Sequence, residues 1–250
     1  MRPGGFAPGA RVTRPSDGWR ASGRPVGIWP VSGYLEGLRA SIRQARWQND
    51  CMARPKSASH EVKRDEILDI AAQCFADKSY HAASMNDIAT ASGTSKARLY
   101  HYYESKEAIL FDLLDRYTQR LQALIVQAEA TAQRRNLDDR AAVHELIRSF
   151  LQEYETSATR HVALLHDTQF LGEQQGELIR NRQRDVVSAV TRFLRRAYPQ
   201  RLNPVNQTAV TMMLFGMINW TFTWLRPGGA MSYAAFAEEV VAMLEKGLAS

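Results

Sequence analysis

Apolar residues recur at helical spacing from about residue 61 onward, whereas neither a helical nor a strand period persists across residues 1–51. Ile67, Ile70, Ala71, Cys74 and Phe75 mark one face of a helix over roughly 61–77. Ser84-Met85-Asn86-Asp87 has the order of a capping box at the start of a short helix, with aspartate in place of the usual longer glutamate or glutamine. Gly93 suits the left-handed residue just past that helix, and Ser95 or Thr94 caps the next. Ser105 caps a long helix running to about 131. Further helical patterns cover about 138–157, 159–171, 173–198, 205–225 and 232–248, the last capped by Ser232. Asn136, Gly172, Pro199, Pro204 and Pro227-Gly228-Gly229 punctuate them. With no strand pattern and no repeat at a period of 20–50 residues, the expected fold is all-α.

Composition divides the chain. Residues 1–51 hold eight of the fifteen glycines and five of the nine prolines, which reads as disorder. Met52 opens a short polar lead into the first periodic helix. The expectation is a disordered basic extension over 1–55, with translation starting at Met52. A basic arm touching DNA phosphates or a minor groove is the competing reading. Eight arginines against Asp17, Glu36 and Asp50 give residues 1–51 a charge of +5, out of +6 for the whole chain. The body is therefore nearly neutral, and any case for nucleic acid must rest on local clustering.

Other classes are disfavoured. Cys51 and Cys74 make no disulfide framework and fit a reducing, cytoplasmic setting; Cys74 reads as a buried apolar residue. No apolar run of signal-peptide length follows the first arginines. Residues 202–225 are uncharged and long enough to span a bilayer, but Pro204, Gln207, three asparagines and four threonines favour a helix buried in protein. The six histidines are scattered, and no metalloprotease, nucleophile-elbow, P-loop or dinucleotide motif is present. His161 and His166 point about 140° apart on a helix, a poor metal pair better read as interface or pocket residues. No catalytic site, metal or cofactor is expected.

Ala89, Gly93 and Leu99 supply what a helix-turn-helix requires: a small residue where two helices touch, a glycine in the turn, and an apolar seal on the second helix. That second helix presents Ser95, Lys96, Arg98 and Tyr100 on its outer and N-terminal surfaces, the part that meets base edges in a major groove. Residues 62–115 resemble the DNA-binding domain of the TetR family of bacterial transcriptional repressors. The likeness is carried by Phe75 and by Ser84-Met85-Asn86-Asp87-Ile88-Ala89. It continues in Ala91-Ser92-Gly93-Thr94-Ser95-Lys96, Leu99-Tyr100-His101-Tyr102-Tyr103 and Ser105-Lys106-Glu107. Ser79 and Ala97 stand where that family often has glycine.

By that resemblance Ser84, Tyr100 and Lys106 match phosphate contacts, Lys96 and Asn86 match positions that reach base edges, and Arg98 could do either. His101 touches phosphate or is simply exposed; one of Tyr102 and Tyr103 packs beneath the recognition helix. The implied organisation is a helix-turn-helix DNA-binding domain over 56–108 and a helical regulatory and dimerisation domain over 109–250.

A unit this small reads few base pairs, so a double-stranded, palindromic operator and a homodimer are expected. Val210, Leu214 and Ile218, with Phe236, Val240 and Leu244, are assigned to the dimer interface. Met213, Met217, Trp220 and Trp224, with Phe170, are assigned to an effector pocket, and Arg180 and Arg184 to effector phosphates. The segment from Asn219 to Gly229 and the run Tyr100-His101-Tyr102-Tyr103 resemble a branch of the family that senses acyl-CoA thioesters, which implies such an effector. Alternatives are a regulator without a small-molecule effector, or a metal-dependent enzyme.

Overall fold

The computed structural model describes residues 58–226 and 228–248; the expected extension and the Met52 start lie outside them. Among the described residues there are nine α-helices and no strand. They are α1 (Ala58–Lys78), α2 (Met85–Ala91), α3 (Lys96–Tyr100), α4 (Lys106–Arg134) and α5 (Asp139–Thr156). Then follow α6 (Ala158–His166), α7 (Glu173–Ala197), α8 (Gln207–Asn219) and α9 (Tyr233–Leu248), with 3₁₀ turns at Thr168–Phe170 and Trp220–Thr223.

Helix ends follow their local chemistry. Ser84 and Asp87 form the reciprocal capping box, so aspartate reaches far enough. Ser105, Asp138 and Ser232 accept backbone N–H bonds at the starts of α4, α5 and α9. Gly93, at φ 60°, closes α2: its N–H bonds the Thr90 carbonyl, and the next N–H bonds that of Ala89. Asn136 closes α4 in the same way at φ 49°. Ser79 sits at φ 69° with a Cβ that disfavours it, where glycine would be unstrained.

Two expected helices are shorter than their patterns. The 159–171 pattern breaks at Asp167, and the 205–225 pattern ends as α-helix at Asn219. In each case apolar spacing continues through a 3₁₀ turn, so periodicity alone cannot mark the break. The 13-residue α8 falls far short of a bilayer, and no described helix is long and apolar enough to cross one.

Helices α1–α3 enclose a small core of Ile67, Leu68, Phe75, Ile88 and Leu99, onto which the start of α4 packs Ile109 and Leu110. Beyond this, α4 packs against α5 and α7, α9 lies on α5, and α8 on α7. Ion pairs fasten α4 and α6 to α1. Arg64 meets Asp112 at 2.6 Å, Arg116 meets Glu61 at 2.8 Å and Asp112 at 3.0 Å, and Arg160 meets Asp69 at 2.7 Å. Burial pushes the Asp112 carboxyl upward, but hydrogen bonds from Tyr103 and Arg116 with the nearby arginine charges outweigh it, leaving the group below the usual range.

Candidate nucleic-acid interface and effector cavity

Helix α3 is seated by one residue. Leu99 is fully buried against α2, which turns Lys96, Arg98 and Tyr100 outward with Ser95 and His101 beside them, all exposed. Ser95 accepts the Arg98 N–H at 3.1 Å and so fixes the N-terminus of α3. The Lys96 ammonium lies 6.0 Å from the Tyr100 ring centre. No acidic side chain occurs in α3, so a cationic, aromatic ridge projects from the domain. Asn86 is exposed on α2, and Ser84 is exposed at its N-cap, where its hydroxyl bonds Asp87. The Asp87 carboxylate is held well below its usual range by the Lys78 ammonium at 2.7 Å and by the Ser84 bonds. Tyr103 is the ring that packs inward and donates to Asp112 at 2.6 Å; Tyr102 is half-buried and stacks on His60.

Lys106 departs from its expected phosphate role. Its ammonium donates to the carbonyls of Tyr80 at 2.6 Å, Ala83 at 2.7 Å and His81 at 3.3 Å, and lies 4.4 Å from the Tyr80 ring centre. All three N–H donors are engaged, because the α1–α2 turn leaves carbonyls without helical partners. Phe170 likewise leaves its expected pocket. It stacks on Tyr80 at 5.0 Å and meets the His81 ring edge-on at 4.3 Å, and nearby the Gly172 N–H donates to Glu107 at 2.9 Å. The turn after α6 therefore touches the same α1–α2 turn that Lys106 clamps.

The two faces assigned to α8 differ in burial from what their assignments require. Leu214 and Ile218, expected at a dimer surface, are 2% and 1% exposed within the protomer, and Val240 and Leu244 of α9 are also core. Val210 and Phe236 are half-buried, Phe236 under the Trp224 ring. Met213 and Trp220, expected to line a pocket, are instead 69% and 59% exposed; Trp224 is exposed and Met217 half-buried. The helix is apolar on both sides, so its pattern carries no phase information. Arg180 and Arg184 share the exposed Glu177 carboxylate, which their hydrogen bonds hold below the usual range.

An apolar void of about 10 Å³, room for about one water, lies between α5, α7 and α8. Phe150, Phe193, Leu214, Phe215 and Ile218 are among its walls, and none of the seven residues expected to bind an effector is. The buried stripe of α5, with Val143, Leu146, Ile147 and Phe150, supplies one wall, in a segment where sequence reading marked only a helical pattern. Next to this region His161 is 2% exposed; its Nδ1 lies 3.2 Å from the Tyr117 hydroxyl and its ring stacks on Tyr154 at 3.9 Å. Burial pulls its pKa down to about 4, although the facing Asn219 carbonyl favours the charged ring. Among the described residues no group of three or more His, Cys, Asp or Glu could hold a metal.

Residues 67–113 match the domain family described as bacterial regulatory proteins, tetR family, and 136–248 match the tetracyclin repressor-like C-terminal domain. The HTH-type transcriptional repressor KstR2 of Rhodococcus jostii (strain RHA1) is 25% identical over 198 residues, 75% of this chain and 92% of KstR2. The crystal structure of a TetR-family transcriptional regulator from Bordetella parapertussis 12822 superposes with a TM-score of 0.67 at 35% identity, covering 72% of this chain and 92% of that one. AibR, solved in complex with isovaleryl coenzyme A and operator DNA, shares the fold with a TM-score of 0.63 at 23% identity, covering 72% of this chain and 97% of its own.

Proposed function

The chain belongs to the TetR family of transcriptional regulators, which are not enzymes, and from that premise we propose that it is a repressor that binds a palindromic operator as a homodimer in the cytoplasm and is released by a small-molecule effector. The observation that carries the reading is the exposed, acid-free ridge of α3, held out by buried Leu99. Lys96 and Asn86 then reach base edges, Ser84, Ser95, Tyr100 and His101 hold the backbone, and Arg98 serves either; Lys106 acts by shaping the adjoining turn. Residues 56–108 form the DNA-binding domain and 109–250 the regulatory domain, with α4 running through the boundary.

The dimer forms through the outward side of α8 and α9, where Met212, Met213, Trp220 and Met243 stand exposed. Large apolar side chains clustered on a surface favour burial against a second copy. In that dimer two α3 helices reach successive major grooves at a spacing of about 34–36 Å. An effector favouring a different spacing lowers operator affinity; a full switch needs about 5.5 kcal/mol of preference between the two states. The isovaleryl coenzyme A complex of AibR supports an acyl-CoA thioester as that effector.

Fluorescence anisotropy with DNA from immediately upstream of the protein's own gene tests the proposal, with and without acyl-CoA thioesters and their free acids. Tight, salt-sensitive binding that one thioester reverses is expected. Binding no stronger than to random DNA would refute the regulator reading. Lys96→Ala should cost about 1–3 kcal/mol at a single base position, seen as relaxed preference there in a competition series.

A further inference from the structure

The regulatory half buries a polar cluster. Tyr117 comes from α4, Tyr154 from α5 and His161 from α6, and Asn219 is the last α-helical residue of α8. The Tyr154 hydroxyl donates to the Asn219 side-chain oxygen at 3.0 Å. The Asn219 carbonyl facing Nε2 can only accept, which favours the tautomer with the hydrogen on Nε2 and makes Tyr117 the donor to Nδ1. That Nε2 faces the Asn219 carbonyl but completes no hydrogen bond, although it is fully enclosed. A buried donor whose one facing acceptor is out of hydrogen-bond geometry is incompletely satisfied, which is costly in a native interior. The apolar void begins one residue away on α8, at Ile218, and one turn away on α5, at Phe150. Polar donor and apolar chamber are thus adjacent, where α8 gives way to a 3₁₀ turn.

We propose that His161 Nε2 is the anchor for the neutral carbonyl oxygen of an apolar effector, a thioester or ketone, whose chain enlarges the void beyond Phe150 and Ile218. The inference rests on the ligand-responsive reading above and specifies its chemistry. The site is built of neutral donors: burial keeps His161 uncharged at physiological pH and raises both phenols, so they stay protonated. The nearby cations are spoken for. Arg120 pairs with Glu153 at 2.8 Å and Arg160 with Asp69 at 2.7 Å. A carboxylate entering beside buried Glu153 would bury a second negative charge without a free partner, a far larger cost than burying a carbonyl that gains a donor. The site therefore discriminates a thioester from the acid it releases on hydrolysis.

The test uses the full chain with ¹⁵N-labelled histidine and three probes whose carbonyls carry similar alkyl tails: S-octanoyl-N-acetylcysteamine, 2-undecanone and octanoate. Side-chain ¹⁵N spectra read the His161 ring, and calorimetry reads affinity. The thioester and the ketone should move the His161 Nε2 resonance while octanoate leaves it in place. His161→Phe, which keeps a ring on Tyr154, should weaken both neutral probes about tenfold, the equivalent of one lost buried hydrogen bond. Octanoate binding as tightly as the thioester, unchanged affinity in the variant, or a His161 signal that no probe moves would each overturn the inference. The spectra are read in the wild-type protein, so the result stands even if the variant fails to fold. Operator binding without any probe is measured alongside, so failure of the regulator reading shows separately.

Discussion

Replacing Lys106 with methionine keeps the unbranched apolar stem of the side chain and removes the charged nitrogen that three carbonyls share. The bonds to Tyr80 and Ala83, at 2.6 and 2.7 Å, are short and part-buried, whereas the 3.3 Å bond to His81 faces solvent. Counting only the first two at the low end of about 1.5–3 kcal/mol for a charged hydrogen bond gives a loss of about 3 kcal/mol. For a protein of this size that corresponds to a fall in Tm of about 6–12 °C. The assay is thermal and urea unfolding without DNA, at fixed protein concentration because the proposed self-association would shift the midpoint. The salt dependence of operator binding is measured alongside. A clamp predicts a large loss of stability and an unchanged salt slope. A phosphate contact predicts the reverse: unaltered unfolding, and a slope of log affinity against log salt shallower by about one. The second pattern would refute the structural role assigned to Lys106.

Three other outcomes follow from particular residues. The folded His161 pKa, near 4, lies below its unfolded value, so this residue's contribution to stability is complete above about pH 6.5 and is lost as pH falls toward 4. The loss is about 3 kcal/mol, and urea unfolding of His161→Phe should lack that pH-dependent step. Ser79→Gly should stabilise the protein by about 1 kcal/mol by relieving a left-handed residue, read as a higher urea midpoint with an unchanged slope. On α8, Met213→Glu should yield a folded monomer by analytical ultracentrifugation, whereas Leu214→Glu should abolish folding, because one side chain faces out and its neighbour is buried.

What could be read from the chain was local. A capping serine, a glycine past a helix end and an apolar seal at Leu99 act within a few residues of themselves, and each lies where its spacing put it. The reading failed where a residue's role depends on something distant. Lys106 carries the same charge whether it meets a phosphate or a ring of carbonyls, and only the α1–α2 turn folding back decides which. Phe170 is equally apolar in a pocket or on Tyr80. Helix α8 offered two apolar faces, and which one turns inward is set by α5 and α7 rather than by its own residues. The apolar void was hidden for a related reason: a wall built of Phe150, Phe193 and Phe215 has the composition of any core.

The two-sided character of α8 has a genetic consequence. Consecutive positions answer to different constraints, with Thr211, Leu214, Phe215 and Ile218 turned inward and Met212, Met213, Gly216 and Trp220 turned outward. A saturation library across 207–220 should therefore sort into two classes that alternate with the helical repeat. Inward substitutions alter folding or the effector response; outward ones alter assembly while leaving the chamber intact. With the two stripes in their proposed roles, a lineage of such proteins can change the molecule it senses by drift on one stripe while the opposite stripe keeps its pairing partner.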